Sequence, residues 1–133
     1  MTVIEYDFPT LNEYIAAERG NRYSAASMKK KATLAAKKSF TGLMPLAGLF
    51  DVVISWSRKS EMHDPDNVYF AVKFILDGAV LARYIAKDSR KCVRNISHTI
   101  FTNRKRGNYC TIEFIEVPSA EQSRPKARQR QRL

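Results

Sequence analysis

The tetrapeptide Asp64-Pro65-Asp66-Asn67 puts two carboxylates and an amide next to one another in the chain. Carboxylate and amide oxygens are the donors that hard divalent cations take. The same residues also read as the start of a helix, with Asp64 at the N-cap and Pro65 in the first turn. That local role accounts for Asp64 and Pro65 but requires neither Asp66 nor Asn67. Further on, Asp66, Phe70, Lys73 and Asp77 recur at intervals of four, three and four, so a helix would stack them along one stripe. The stripe lies apart from the apolar face formed by Val68, Val72, Ile75 and Ala79. Lys73 and Asp77 alone are an ordinary i,i+4 pair, stabilising by roughly 0.2–0.5 kcal/mol. A carboxylate, a cation and a second carboxylate in line are also the groups that phosphodiester hydrolysis uses. Carboxylates hold the metal, and a lysine offsets charge on the phosphate.

Competing motifs do not fit. An EF-hand loop beginning at Asp64 would need an oxygen ligand where Val68 stands. No glycine-rich run ends in Lys-Ser or Lys-Thr, as a P-loop does. Cys92, Cys110, His63 and His98 lack zinc-ligand spacing, and the two cysteines read as reduced, structural thiols. No Ser-His-Asp or Cys-His arrangement is suggested by local sequence.

The elements that must position these residues follow from periodicity. Val3 to Phe8 reads as a short strand. Thr10, followed three positions later by Glu13, has the capping-box arrangement and opens a helix over Leu11 to Arg19. Ser24 to Lys38 predicts a second helix with a thin apolar stripe of Met28, Leu34 and Ala35, otherwise covered by lysines. Leu43 to Leu49 is a connection, Phe50 to Trp56 a strand and Arg58 to His63 a loop. Asp64 to Arg83 predicts a third helix. Lys91 to Thr102 returns as a strand, Arg104 to Gly107 is a basic turn, and Tyr109 to Val117 is a strand. The expected fold is α+β: a small mixed sheet from strands near residues 3, 52, 96 and 113, packed with helices. The carboxylates then fall at the start of the third helix and on the segment after it.

The length of 133 residues suits one domain, taken as 1–118, followed by a basic tail, 119–133. That tail carries Arg124, Lys126, Arg128, Arg130 and Arg132 with one acid and no aromatic residue, so it is expected to be disordered. The net charge of +10 suits a polyanion, whether DNA, RNA or an anionic membrane surface. No apolar run approaches the ~20 residues needed to span a bilayer, and no signal peptide is apparent, so a cytoplasmic protein without a membrane partner is expected.

Taken together, Asp64-Pro65-Asp66-Asn67, then Lys73 and Asp77 in "VKFILDGAV", then Asp88 in "IAKDS", resemble the RusA-type Holliday junction resolvases of bacteria and their phages. The stretch "LNEYIAAERGNRYSAASMKKK" is similar to the N-terminal part of members from Gram-positive hosts and their phages. The resemblance covers roughly residues 10 to 117. It implies a homodimeric, Mg²⁺-dependent endonuclease, with Mn²⁺ as a substitute, that cuts four-way DNA junctions by paired nicks. It implies Asp64, Asp66 and Asp88 as metal-binding and catalytic carboxylates, Lys73 as the essential lysine, and Asn67 and Asp77 as supporting positions. The gap from the DxDN motif to the lysine is wider here than in some members. Lys29, Lys30, Arg90, Arg94, Arg104 and Lys105 are the cations expected to hold the DNA arms. Tyr14, Tyr23 and Phe101 either stack on bases or pack in the core or interface. Phe40, Leu43, Met44, Leu46, Leu49 and Phe50 could furnish a dimer interface or fill the core. The rival readings are a non-catalytic nucleic-acid-binding protein that keeps the fold, and a basic scaffold protein.

Overall fold

The computed structural model describes residues 1–122. In chain order the elements are β1 (Thr2–Ile4), α1 (Leu11–Gly20), α2 (Arg22–Phe40), β2 (Phe50–Arg58), α3 (Pro65–Tyr69), α4 (Val72–Leu81), β3 (Val93–Thr102), β4 (Tyr109–Glu116) and α5 (Ser119–Gln122). The four strands form one mixed sheet in the order β1-β4-β2-β3. The pairs β1–β4 and β2–β4 are antiparallel, and β2–β3 is parallel. The expectation of an α+β fold built on a small mixed sheet with helices holds.

β2 shows why the sheet is one-sided. Phe50, Val52, Ile54 and Trp56 are buried, whereas Asp51, Val53 and Ser55 between them are only half-buried. This period of two sends one set of side chains under the helices. There Val52, Ile54 and Trp56 join Ala32, Ala36 and Phe40 of α2 and Phe74, Ile75 and Ala79 of α4 in one core cluster. On the opposite face Val3, Phe101 and Ile115 are 42%, 41% and 46% exposed, and cross-strand pairing puts them on the side of Ser55, Ser57 and Asp51.

α1 starts as its sequence requires. The Thr10 hydroxyl accepts the Glu13 amide, and the Glu13 carboxylate accepts the Thr10 amide. β1 ends at Ile4 rather than continuing to Phe8, because its partner β4 begins at Tyr109, one residue beyond the Ile4–Cys110 pair. Phe8 nevertheless stays buried.

Two helical expectations need correction. The single helix expected over Asp64 to Arg83 is divided: α3 ends at Tyr69, α4 begins at Val72, and Phe70 and Ala71 lie between them. The break falls inside the widened interval between DxDN and Lys73. In α2 the buried face is Ala25, Ala32, Thr33, Ala36 and Phe40, not the stripe of Met28, Leu34 and Ala35. The cause is the close approach of α4. Gly78 lies against Thr33, Ala36 and Lys37, so small side chains, not the largest apolar ones, face the contact, and Leu34 is left 43% exposed. In the 40–50 segment Phe40 and Phe50 are core, Leu46 and Leu49 are half-buried, and Leu43 and Met44 are exposed.

The first residues of the expected disordered tail, Ser119 to Gln122, form the short helix α5; residues 123–133 of that tail lie outside the described residues. Among the described residues no helix is long and apolar enough to cross a membrane. Burial pushes the Cys110 thiol up to about 12, as an inert core cysteine requires.

Candidate functional site

Parallel strands need a crossover between them, and α3 with α4 is the crossover from β2 to β3. α3 therefore starts beyond the C-terminal end of β2. The segment carrying Asp88 leads into the N-terminal end of β3, after the chain has travelled back along α4. This topology sorts the candidate residues into two groups.

The first group surrounds Asp64. It lines a cleft of about 350 Å³ with Arg58, His63, Phe101 and Thr102. Asp64 occupies the N-cap position of α3, but its side chain makes no capping hydrogen bond. Asp64 thus holds the N-cap position without its carboxylate capping the helix, and that carboxylate makes no hydrogen bond or ion pair among the described residues. Asp66 is exposed in the first turn of α3. Asn67 is 9% exposed, and its Oδ1 accepts the Asn12 amide at 2.9 Å. Asn12 stands in the first turn of α1, where amides have no partner within the helix. The motif asparagine is thus a pin that ties α3 to the start of α1.

The second group is made by folding alone. Lys73 Nζ donates to Asp77 Oδ1 at 3.0 Å and to Asp88 Oδ2 at 3.4 Å. Asp77 is the i,i+4 neighbour on α4, whereas Asp88 comes from the loop beyond. Asp77 and Asp88 also line a cleft of about 310 Å³ with Lys29, Thr33, Val80 and Leu81. The Asp77 carboxylate holds the Lys73 ammonium above its ordinary value; partial burial opposes this, and Asp88 adds to it. Lys73 therefore stays charged at neutral pH and is a fixed cation rather than a proton acceptor. Thr33 contributes a buried hydroxyl with no hydrogen-bond partner among the described residues.

The structure thus brings together Lys29, Lys73, Asp77 and Asp88, and it does not gather Asp64, Asp66 and Asp88. No group of three or more His, Cys, Asp or Glu side chains among the described residues is arranged to hold a metal ion. Asp77 and Asp88 are the two carboxylates that Lys73 brings to one point, and Mg²⁺ is an ion that takes one or two carboxylates while keeping several waters.

Among the other expected cations, Lys30 and Arg90 are exposed, as are Arg104 and Lys105 in the β3–β4 turn. Arg94 is engaged within the fold: its Nε and Nη2 donate to the two Asp51 carboxylate oxygens at 2.9 and 2.6 Å. Tyr14 packs against Phe70 and Phe74, Tyr23 lies under the Arg22 guanidinium, and Phe101 is partly exposed on the open sheet face.

One cluster had no local sequence signal, because its members are far apart in the chain. Trp56 Nε1 donates to His98 Nδ1 at 2.9 Å, and the His98 ring stacks on Tyr69 with centroids 4.3 Å apart. Burial lowers the His98 pKa from its ordinary 6.5. The unfolded chain then takes up a proton at a pH where the folded chain does not. The neutral ring's contribution to stability is present above about pH 6.5 and is lost as pH falls through the lower folded-state value. Thermal midpoints between pH 7.5 and 5 are expected to fall for the wild type and to fall less for His98→Asn. Parallel curves for the two proteins would show that His98 does not drive the dependence.

Compared with protein-family models, curated proteins and solved structures, the chain matches none of them.

Proposed function

We propose that this chain is a Mg²⁺-dependent, structure-selective endodeoxyribonuclease of the kind the RusA-type resolvases represent, resolving four-way DNA junctions by paired phosphodiester hydrolysis as a homodimer. The observation that carries the reading is Lys73 bridging Asp77 and Asp88. A strongly basic chain has formed a cleft lined by two carboxylates and by Lys29, and the Lys73 ammonium bridges those two carboxylates. Lys73 and Lys29 offset the two carboxylates, so the cleft offers carboxylate ligands to a metal ion and two cations to an arriving DNA phosphate. Asp77 and Asp88 would hold Mg²⁺, which when bound would supply Lewis-acid activation of water and of the phosphate. The protein's own part is to position it with Asp77 and Asp88, to place the Lys73 ammonium against the developing negative charge, and to draw the backbone in with Lys29 and the neighbouring Lys30 and Arg90. Asp64 and Asp66 enter this reading through the resemblance.

Lys73→Ala separates this role from a purely structural one. An exposed ion pair contributes about 0–1 kcal/mol, so folding should be nearly unchanged, and one lost phosphate contact costs little total affinity. Turnover on a synthetic junction is expected to fall by roughly a hundredfold, because the lost charge acts where transition-state charge develops. A fall in thermal midpoint with normal turnover of the folded protein would reduce Lys73 to a helix-stabilising pair.

The separation of Asp64 and Asp66 from Asp88 favours a second reading, in which the chain binds nucleic acid without cutting it. Incubation with a four-way junction, Mg²⁺ and then EDTA decides between them: cleavage that EDTA abolishes supports the enzyme, and tight binding with no cleavage supports the binder. Sedimentation tests the two-fold partner that paired nicking requires, since the described residues of a chain bring Lys73, Asp77 and Asp88 together at a single place. A 15.2 kDa species both free and on junction DNA would be incompatible with paired nicking.

A further inference from the structure

A groove of about 950 Å³ runs between β1 and α2, apart from the Lys73 cleft. Val3 and Ile4 of β1 and the two residues that follow the strand, Glu5 and Tyr6, form one wall in succession. β1 is an edge strand that pairs with β4 on its other side only. Its outward backbone groups take no protein partner among the described residues. The α2 wall is apolar at Leu34 and Ala35 and is rimmed by Lys31, Lys37 and Lys38. None of these three lysines pairs with an acid among the described residues, and Glu5, the one acid at the rim, already pairs with Arg106.

An unpaired strand edge, an apolar slot beside it and a row of uncompensated cations describe three properties of one ligand. The edge offers alternate amides and carbonyls to an incoming strand. The slot takes every second side chain of that strand. The lysines take carboxylates between or beside them. We propose that this groove binds an extended acidic peptide segment of a partner protein, its apolar residues alternating with carboxylates, by adding it to the sheet alongside β1.

Other occupants fit less well. A second copy of the chain would bring the same lysines against one another around a two-fold axis. Residues 123–133 carry five basic side chains and would be repelled. A nucleic-acid strand has no amides with which to complete a ladder, and Tyr6, the aromatic residue of the groove, already packs edge-on against Phe8 at 4.9 Å, leaving little surface for base stacking.

The test uses the full-length protein and a fluorescein-labelled peptide alternating aspartate with isoleucine and valine, followed by anisotropy. Saturable binding is expected. It should weaken about tenfold or more in the Lys37→Glu/Lys38→Glu protein and in Leu34→Asp. Those side chains are exposed, so circular dichroism should show an unchanged fold. Peptides N-methylated at alternate amides, in the two possible registers, probe the ladder directly: one register should lose binding and the other keep it. If both methylated peptides bind like the parent, strand addition is wrong. If polyaspartate or oligothymidylate of equal charge binds as tightly, the groove merely attracts negative charge and the proposal fails.

Discussion

Asp88→Asn is expected to lower cleavage of a four-way junction by about a hundredfold or more, about 2.7 kcal/mol in activation free energy, with junction binding retained. The substitution keeps the side chain's size and removes its charge. In the folded protein that charge faces Lys73 at 3.4 Å and shares the cleft with Asp77. Its loss removes a cation ligand and leaves Lys73 held by Asp77 alone. Binding survives because DNA affinity is set mainly by the many cations that contact phosphates, not by one acid. Asp77→Asn should act in the same direction. Asp66→Asn is the informative companion: the resemblance implies a comparable loss, whereas the cleft contains no Asp66. A normal Asp66→Asn protein beside an inactive Asp88→Asn protein would put the whole reacting centre in the Lys73–Asp77–Asp88 cleft. An Asp88→Asn protein that cuts at the wild-type rate would sink the assignment.

Gly78→Ala should be strongly destabilising, for Gly78 is the one glycine at which an added Cβ meets close neighbours. A Cβ at this position would lie 2.5 Å from Ala36 Cβ, 2.7 Å from the Lys37 amide nitrogen and 2.8 Å from the Thr33 carbonyl oxygen. Two of these three neighbours are backbone, so no rotamer change relieves the clash, and α4 must move away from α2. In a core packed at crystal-like density, overpacking of this kind costs about 3 kcal/mol, or a fall of about 10 °C in thermal midpoint for a domain of this size. The neighbouring Asp77 would move with the helix, and the cleft it shares with Lys29 of α2 would widen. Thermal unfolding monitored by circular dichroism measures the loss. Ala36→Gly added to Gly78→Ala should restore only part of it, since the backbone contacts remain. An unchanged midpoint would mean that the two helices are not packed as closely as the structure has them.

Much of the fold was legible one segment at a time. The Thr10–Glu13 capping box, the alternation along β2 and the end of β4 are local, because each is set by interactions within a few residues of the chain. The same holds for Lys73 and Asp77, whose spacing alone puts them on one side of a helix. What local pattern could not supply was every feature that depends on who lies opposite. The apolar stripe of α2 was read from its largest residues. The face actually buried holds Ala25, Ala32, Thr33, Ala36 and Phe40, because Gly78 of a helix some forty residues later brings α4 close to α2 at Thr33 and Ala36. The expected continuous third helix carries no proline or glycine at Phe70–Ala71 to announce the break. The stack of Trp56, His98 and Tyr69 joins three elements and leaves no trace in any one of them.

The candidate site divides along the same line. Residue types and intervals were enough to single out Asp64, Asp66, Lys73 and Asp77, because carboxylates and a lysine at these positions have few structural uses that explain all of them, whereas Asp88 was implied only by the resemblance to the RusA-type resolvases. They were not enough to say which of the five share a cleft. That was decided by the parallel pairing of β2 with β3. A parallel crossover must carry the chain from one end of the sheet back to the other, so the residues entering α3 and the residues leaving α4 are set apart by the length of the helices between them. Lys73, partway along, reaches the far group and leaves Asp64 and Asp66 behind.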